Sequence, residues 1–363
     1  MATQFDSTAL EGMQYNLTSN VSEISASTDK DRIDVSLSCE NGRGDEPETF
    51  YATSLYAYNG RVQLDDVGAL VEEYFRMRDK VADTITIAFD DVSMDVHFLY
   101  CEYTIPPSFM AEKNFFLAAT AQRVHQDSIV AIATVNHGSA YPFVIKAVGH
   151  AAGSDDLAVV EQSVQKDFNA QSTVYFNVSR ILQWALGQSE NPPEEPLRDV
   201  LYFSIEYFGL QKMCYIVPAA AYLTFSFRNC FNVMEYIDVA GVMTTKTDVS
   251  RDVAVCRGQS KQYDRNVERS YQVQTESLTA DEVHIFEQFL ASHAVNLSFG
   301  YDHQPVIITD QTCEPSSSDE SLTTVKFTWR FADYRPRVFD SRFDGIMPVR
   351  SRVFDDTFSP EYD

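Results

Sequence analysis

The stretch Ser270-Tyr-Gln-Val-Gln-Thr-Glu-Ser-Leu-Thr-Ala-Asp-Glu-Val-His-Ile-Phe-Glu-Gln-Phe-Leu-Ala291 passes from an alternating strand pattern into an amphipathic helix. Thr279 and Glu282 fit a capping box, in which each side chain satisfies a backbone amide that the helix leaves unpaired. Apolar residues at helical spacing then predict one buried stripe, formed by Val283, Phe286, Phe289 and Leu290. Two strand patterns follow, at Val306–Thr309 and Thr323–Phe331. The segment therefore predicts a strand-helix-strand-strand unit.

The same order of elements occurs twice earlier in the chain. The first copy has a helix pattern at Leu64–Arg78 and strand patterns at Phe50–Tyr58, Thr84–Phe89 and Val96–Tyr103. The second has a helix pattern at Ser179–Leu186 and strand patterns at Ser172–Phe176, Val200–Tyr207 and Met213–Val217. Three such units predict a mainly β fold with a few flanking helices, built from repeated sandwich or barrel modules.

Local patterns refine the first two units. In the first, Asp65 and Asp66 are expected in the opening turn of the helix, where they would complement its positive end. In the second, Trp184 is expected to anchor a short helix to the strands. Ahead of both, Arg32–Cys39 alternates between apolar and polar residues, which predicts a half-buried strand.

Breaks in these patterns suggest how the chain is divided. We expect an N-terminal arm over residues 1–30, a first β-rich domain with one helix over 31–150, a second β-rich region with two helices over 151–334, and an extended C-terminal arm over 335–363. Three loops follow from composition: a break at Gly149–Asp156, an exposed insertion at Gly187–Pro196, and a hairpin loop at Cys313–Glu320.

Composition limits the classes of function. The chain has 363 residues, 28 basic against 53 acidic, and a formal net charge of -25. Binding of nucleic acid through its phosphates, or of an anionic membrane, requires clustered Lys and Arg and is therefore not expected. The acidity serves either solubility or the repulsion of another anion. No secretory signal or membrane span is recognisable, so we expect synthesis in the cytoplasm and no membrane partner.

No catalytic or metal-binding signature is found in the sequence. The six cysteines have no close spacing, the seven histidines form no convincing ligand pair, and no nucleophile elbow, P-loop or dinucleotide motif occurs. Asp90-Asp91 fits a hairpin turn, with a calcium site as the alternative reading. A glycosidase would need an identifiable carboxylate pair, which is not evident. We expect a non-enzyme without a cofactor.

The C-terminal arm carries its own repeat. Arg335-Pro-Arg-Val-Phe-Asp340 recurs as Arg350-Ser-Arg-Val-Phe-Asp355, and Ser341-Arg-Phe-Asp344 is a partial copy. Such apolar anchors between charges form no core of their own, so they predict a strap that binds a neighbouring subunit. The alternative is a disordered tail. The candidate interaction residues are Arg337, Val338, Phe339, Arg342, Phe343, Arg352, Val353 and Phe354.

Residues of the third unit carry a resemblance to a known family. Five stretches within residues 220–336 resemble structural proteins of tailed bacteriophages that infect Bacteroides-like hosts. They are Phe227–Glu235, Lys246–Arg251, Tyr263–Arg265, Tyr271–Thr279 and Val325–Pro336. A β-sandwich with one flanking helix is also similar to the tail-tube fold of tube, distal tail and baseplate hub proteins.

The resemblance implies a virion protein of the tail or baseplate, assembled in the host cytoplasm. Its partners would be further copies of itself, as a hexameric or trimeric ring, and other tail proteins. An acidic lumen would let DNA pass without binding it. The alternative is a glycan- or receptor-binding β-sandwich adhesin, in which some of the 19 tyrosines stack on sugars.

Overall fold

A computed structural model describes residues 3–7, 10–11, 14–40, 47–103, 116–135, 141–168, 172–217, 222–299, 302–313 and 323–332. The fold is mainly β, with three α-helices in the described part of the chain, and it consists of three successive modules. None of the described helices combines the length and apolar character needed to cross a membrane.

The first module contains two sheets and one helix. Its elements are β1 (Gln4–Phe5), β2 (Asn16–Leu17), β3 (Glu23–Ser27), β4 (Arg32–Cys39), β5 (Glu48–Tyr56), β6 (Arg61–Asp65), α1 (Val67–Arg78), β7 (Ala82–Phe89) and β8 (Val92–Leu99). One sheet has the order β1-β3-β6 and the other β2-β8-β7-β4-β5. All pairs are antiparallel except β2 with β8.

The second module repeats this plan. Its elements are β9 (Ala121–Val124), β10 (Ile129–Ala133), β11 (Phe143–His150), β12 (Leu157–Val164), β13 (Thr173–Asn177), α2 (Val178–Ala185), β14 (Tyr202–Tyr207) and β15 (Leu210–Ile216). The large sheet has the order β12-β11-β14-β15-β9, with β9 parallel to β15, and β10 pairs with β13. The strand order of this large sheet matches the order β5-β4-β7-β8-β2 in the first module. In both sheets, the last strand of the order, β9 or β2, is parallel to its neighbour.

The third module closes into a barrel. Its elements are β16 (Tyr222–Arg228), β17 (Met234–Cys256), β18 (Gln259–Thr275), α3 (Ala280–Ala291), β19 (Val295–Phe299), β20 (Asp302–Cys313) and β21 (Val325–Phe331). The barrel order is β16-β17-β18-β21-β20-β19. Strand β21 pairs with β18 on one side and β20 on the other, which completes the ring of hydrogen bonds.

Each module has its own apolar core, and a fourth cluster joins them. In the barrel core, Trp329 stacks on Tyr271 with ring centroids 4.4 Å apart. The joining cluster combines side chains from all three modules: Leu17, Val81, Leu99, Cys101, Leu117, Ala118, Ala133, Val135, Cys230, Phe231 and Val233. Burial of this shared cluster favours a fixed arrangement of the modules over independent motion.

Several sequence predictions are confirmed. Helix α3 has the predicted bounds, and both hydrogen bonds of its capping box are present between Thr279 and Glu282. The predicted strand Arg32–Cys39 is β4, and Trp184 is buried in the second core. The predicted order of a strand, a helix and two strands holds in the first two modules, while the third has the extra strand β19.

The start of the first helix was predicted too early. Leu64 and Asp65 belong to β6, where Leu64 pairs with Ile24, and the helix begins at Val67. Asp66 is the N-cap, with a left-handed φ of 56° and no side-chain capping bond, so the first turn holds no acidic residue. Leu64 fits the helical spacing only because, as a strand residue, it faces the same core as the helix.

Strand pairing also regroups two predicted regions. Residues of the expected N-terminal arm form β1, β2 and β3, and Phe5, Val21, Ile24 and Ala26 lie in the first core. The segment Gly149–Asp156 contains the end of β11 and the turn to β12, with which β11 pairs throughout, so the boundary expected at residue 150 falls inside one hairpin. Asp90-Asp91 is the predicted turn, joining β7 to β8.

Candidate assembly surface

The most unusual element of the fold is the hairpin formed by β17 and β18. The two strands pair from Gly241 with Thr275 to Cys256 with Gln259, around a two-residue turn. Arg257 and Gly258 in that turn have φ angles of 54° and 76°, as a type I′ hairpin requires. Among described residues, β18 pairs with β21 only from Tyr271 onward, and β17 pairs with β16 only up to Ala240. Residues 246–270, here called the long hairpin, therefore form a two-stranded ribbon with which no third described strand pairs.

The long hairpin has no core of its own. Every described side chain from Lys246 to Gln262 is exposed, including Val249, Val253 and Val255, of which Val255 is 75% exposed. The ladder is interrupted by a register shift between Asp252 and Val253. A two-stranded ribbon exposed on both faces is marginally stable in water, and its outer strand edges can pair with another chain. These features make the long hairpin a candidate surface for association.

The charge of the long hairpin is opposite to that of the chain. Residues 246–270 contain six Lys and Arg against four Asp and Glu, a formal charge of +2 in a chain of -25. The remainder of the protein therefore carries -27. A cationic projection on an anionic body is electrostatically complementary to the body of a second copy.

The open sheets of the first two modules end in equivalent edge strands, β5 and β12. These strands expose large apolar side chains: Tyr56 is 76% exposed, Leu157 66% and Val159 62%. Edge strands that expose apolar side chains can accept a further strand. The closed ring of the barrel offers no such edge, whereas the long hairpin does.

A buried polar network holds the second and third modules together. The Lys212 ammonium, fully buried, donates to the Ala131 carbonyl oxygen at 3.2 Å and lies 4.0 Å from Glu235 Oε2. Glu235 also accepts from the Asn229 side-chain amide at 2.6 Å and from the Ala119 backbone amide at 3.0 Å. Burial lowers the pKa of Lys212, although the Glu235 charge opposes that shift. The network fixes the orientation of the barrel against the open sheet.

Other polar contacts tie the barrel to the first module. Asn232 donates its side-chain amide to the Lys80 carbonyl oxygen at 2.8 Å, and the Arg228 guanidinium lies 2.7 Å from Asp79 Oδ1. The three modules are thus joined by apolar and polar contacts at one place. The long hairpin and the open edges are therefore presented by a single rigid scaffold.

A cavity of about 300 Å³ lies between the second and third modules. It is lined by Gln122, Arg123, His125, Val217, Tyr236, Ile237, Asp238, Ala240, Glu276, Leu278, Glu282, Ile285 and Phe286. Across it, Arg123 Nε lies 2.7 Å from Glu282 Oε1, an ion pair between β9 and α3. Asp238 accepts hydrogen bonds from Ser128 and Thr224. The cavity combines an apolar wall with carboxylates.

The structure describes no grouping typical of metal or thiol chemistry. No group of three or more His, Cys, Asp or Glu residues could hold a metal ion within the described ranges. Cys39, Cys101, Cys214 and Cys230 are buried free thiols. Burial raises the pKa of Cys214 to about 12, which keeps it protonated and poorly nucleophilic near neutral pH.

The predicted strap residues lie outside the described part of the chain. This applies to the whole C-terminal arm, residues 335–363, and to most of the loop predicted at Cys313–Glu320. The long hairpin was not predicted from the sequence, in which the first strand pattern of this unit begins at Ser270. A signal was available: Arg257-Gly258 is a two-residue turn pattern between strand-forming residues.

A scan of the chain against known protein families finds no match, and a search of curated proteins finds none either.

Proposed function

We propose that this chain is a structural subunit of a bacteriophage tail or baseplate, assembling with copies of itself into a hexameric or trimeric ring. Its partners are those copies and other tail proteins, and its place is the virion, after assembly in the host cytoplasm. The observation that carries the proposal is the long hairpin. An exposed ribbon without a core is stable and useful when another subunit covers it.

The open edges support the same proposal. Exposed apolar side chains on β5 and β12 would be covered when a neighbouring strand adds to either sheet. Repetition of one plan in two modules provides two equivalent edges on one subunit, which suits a contact that recurs around a ring.

The charge distribution fits a channel for DNA. Carboxylates on an inner wall repel phosphates, so DNA slides through without the counterion release that makes binding to a basic wall strong. Repulsion between acidic subunits is small, since two unit charges 8 Å apart in water cost about 0.5 kcal/mol before salt screening. Attraction between the cationic long hairpin of one subunit and the anionic body of the next can outweigh that repulsion.

Assembly of a shortened chain tests the proposal. Replacing residues 248–268 with Asn-Gly leaves Thr247 and Arg269, which already pair, on either side of a two-residue turn. Negative-stain microscopy and mass photometry should show rings with a central hole for the full chain and monomers for the shortened one. Thermal unfolding should be unchanged, because none of the deleted residues whose side chains are described belongs to a core.

Two results would count against the proposal. Rings of unchanged yield from the shortened chain would remove the long hairpin from assembly. Full chains that remain monomeric at every salt concentration, alone and with the other tail proteins, would contradict the ring itself.

The predicted strap has its own test. Ending the chain before Arg335 should weaken ring assembly without unfolding the monomer, because every described core is complete without residues 335–363. Unchanged oligomerisation of that shorter chain would reject the strap.

A second function has one specific observation in its favour. Tyr56 and Tyr58 are 76% and 80% exposed, next to the tight turn at Asn59-Gly60, and exposed aromatic rings can stack on sugars. This arrangement would suit a glycan- or receptor-binding adhesin. A glycan array distinguishes the two functions, since an assembly subunit should show no signal and an adhesin should lose its signal in a Tyr56→Ser, Tyr58→Ser variant.

A further inference from the structure

We propose that the cavity between the second and third modules is a docking site for the motif Arg350-Ser-Arg-Val-Phe-Asp355 of a neighbouring copy. The Phe354 ring would occupy the apolar wall, and Arg350 and Arg352 would contact the carboxylates at the rim. The inference rests on the proposed assembly role, which supplies the neighbouring copy. It adds a specific binding site for the C-terminal arm.

The shape and lining of the cavity suit an aromatic anchor. Its volume of about 300 Å³ is at the lower end of the range typical of ligand sites, enough for one side chain or a short apolar pair. Leu278, Ile285 and Phe286 supply an apolar wall beside the barrel core. A buried aromatic residue in such a pocket is the usual centre of a peptide-binding interface.

The charges of the cavity match those of the motif. Arg123 is its one lining Lys or Arg and is already paired with Glu282. Asp238 and Glu276 lie on the same lining, and no salt bridge between described residues involves either of them. The two guanidinium groups that precede the Val353-Phe354 anchor would supply the missing cations.

The path of the chain favours the second copy of the motif. Strand β21 begins beside the cavity, where the Val325 backbone amide donates to Thr275 Oγ1 at 2.9 Å, and runs away from it for about 20 Å. The first copy of the motif contains Phe339, which is only seven residues beyond Ala332. That segment could reach back to the cavity only if it were almost fully extended. The residues up to Arg350 can span about 60 Å, enough to reach a neighbouring subunit.

Photocrosslinking in the full chain tests this docking. Phe354 is replaced with benzoylphenylalanine, and isotope-labelled and unlabelled chains are mixed before irradiation. Mass spectrometry should find crosslinks from position 354 to residues 236–240 or 276–286, and they should join labelled to unlabelled chains. Crosslinks confined to a single chain, or to other surfaces, would overturn the inference.

Matched variants separate docking from folding. Ala240→Trp fills the cavity and should reduce the crosslink yield about tenfold, whereas Ala254→Trp, on the exposed long hairpin, should not. Arg350→Glu with Arg352→Glu should reduce it similarly without touching any described core. Unchanged yields in both would reject the site.

The results also distinguish this inference from the proposed function. Rings that form with no crosslink to the cavity overturn the docking site and leave the ring intact. Intermolecular crosslinks to the cavity in assemblies that are not rings support the site and contradict the ring.

Discussion

The first two modules and the third share an order of elements but differ in how their sheets end. Modules one and two keep open five-stranded sheets with exposed edges at β5 and β12, whereas the third closes into a barrel. The difference is caused by β21, which follows β20 and pairs antiparallel with both β20 and β18. In the first two modules, the strand next to β8 or β15 is the parallel strand β2 or β9, which is the last strand of its sheet.

The hairpins differ in the same direction. The hairpins β4–β5 and β11–β12 of the first two modules have strands of eight or nine residues, while β17 has 23 and β18 has 17. Closure of the barrel leaves its ring of strands without a free edge. The long hairpin extends beyond that ring, and the outer sides of its two strands are free edges among the described residues. One fold thus offers two kinds of candidate association surface.

The largest expected effect concerns the closed barrel. Trp329→Ala removes a fully buried ring that stacks on Tyr271 and contacts Phe225, so it should lower the free energy of unfolding by about 3–5 kcal/mol. For comparison, Val255→Ala on the long hairpin should change the free energy of unfolding by less than about 0.5 kcal/mol. Urea denaturation measures both. Similar losses in the two variants would contradict the division into a packed barrel and an unsupported hairpin.

How far the sequence predicts this architecture depends on local signals. Helix α3 was predicted to the residue because the capping box marks its start and the apolar stripe its length. Strand β19 was missed although Val295 and Leu297 alternate with polar residues, because five residues give a weak pattern. Pairing partners were not predictable, since barrel closure depends on the pairing of β18 with β21, which are distant in sequence.

The candidate surface was harder still to predict. A two-stranded ribbon with both faces exposed lacks the apolar alternation by which strands are recognised, so the long hairpin left no clear periodic signal. The cavity is formed by β9, β17 and α3, which the sequence does not bring together. The C-terminal motifs were found because they repeat.

The joint between the open and closed modules should show the next largest effect. Lys212→Met leaves the Glu235 carboxylate buried without its cation and should cost about 3 kcal/mol, less than a full buried-pair loss because Asn229 and Ala119 still donate to it. Adding Glu235→Gln should recover at least about 1 kcal/mol. A double-mutant cycle by urea denaturation measures the coupling, and strictly additive losses would contradict it.

An alkaline titration tests the core of the second module. Burial raises the pKa of Cys214 in the folded state to about 12, above its ordinary value, so the folded chain holds this proton more tightly. The resulting stability is complete below the ordinary thiol pKa and is lost as pH rises toward 12. Between pH 8 and 10.5, wild type should therefore lose about 2 kcal/mol relative to Cys214→Ala. Parallel curves for the two chains would show that the thiol does not contribute.

Helix caps should show smaller differences among the modules. Thr279→Ala breaks a capping box and should cost about 1 kcal/mol, as should Asn177→Ala, whose side chain accepts from the Ser179 amide at the start of α2. Asp66→Asn should cost less than about 0.5 kcal/mol, because Asp66 makes no capping bond and Asn tolerates its left-handed φ. Thermal unfolding ranks the stability of the three variants. A larger loss of stability for Asp66→Asn than for the other two would contradict the assignment of Asp66 as an N-cap without a capping bond.

The smallest effect on folding is expected at the open edge, together with a clear effect on association. Val159 is 62% exposed on β12, so Val159→Lys should change the free energy of unfolding by less than about 0.5 kcal/mol. A charge at that position should block strand addition, because the incoming strand would have to desolvate it. Ser163→Lys adds the same charge to an exposed position of the same strand, where no apolar contact is lost. Sedimentation velocity should show weaker association for Val159→Lys than for Ser163→Lys. If both lysines weaken association equally, charge alone controls it, and the apolar edge that distinguishes the open modules from the barrel is not the contact surface.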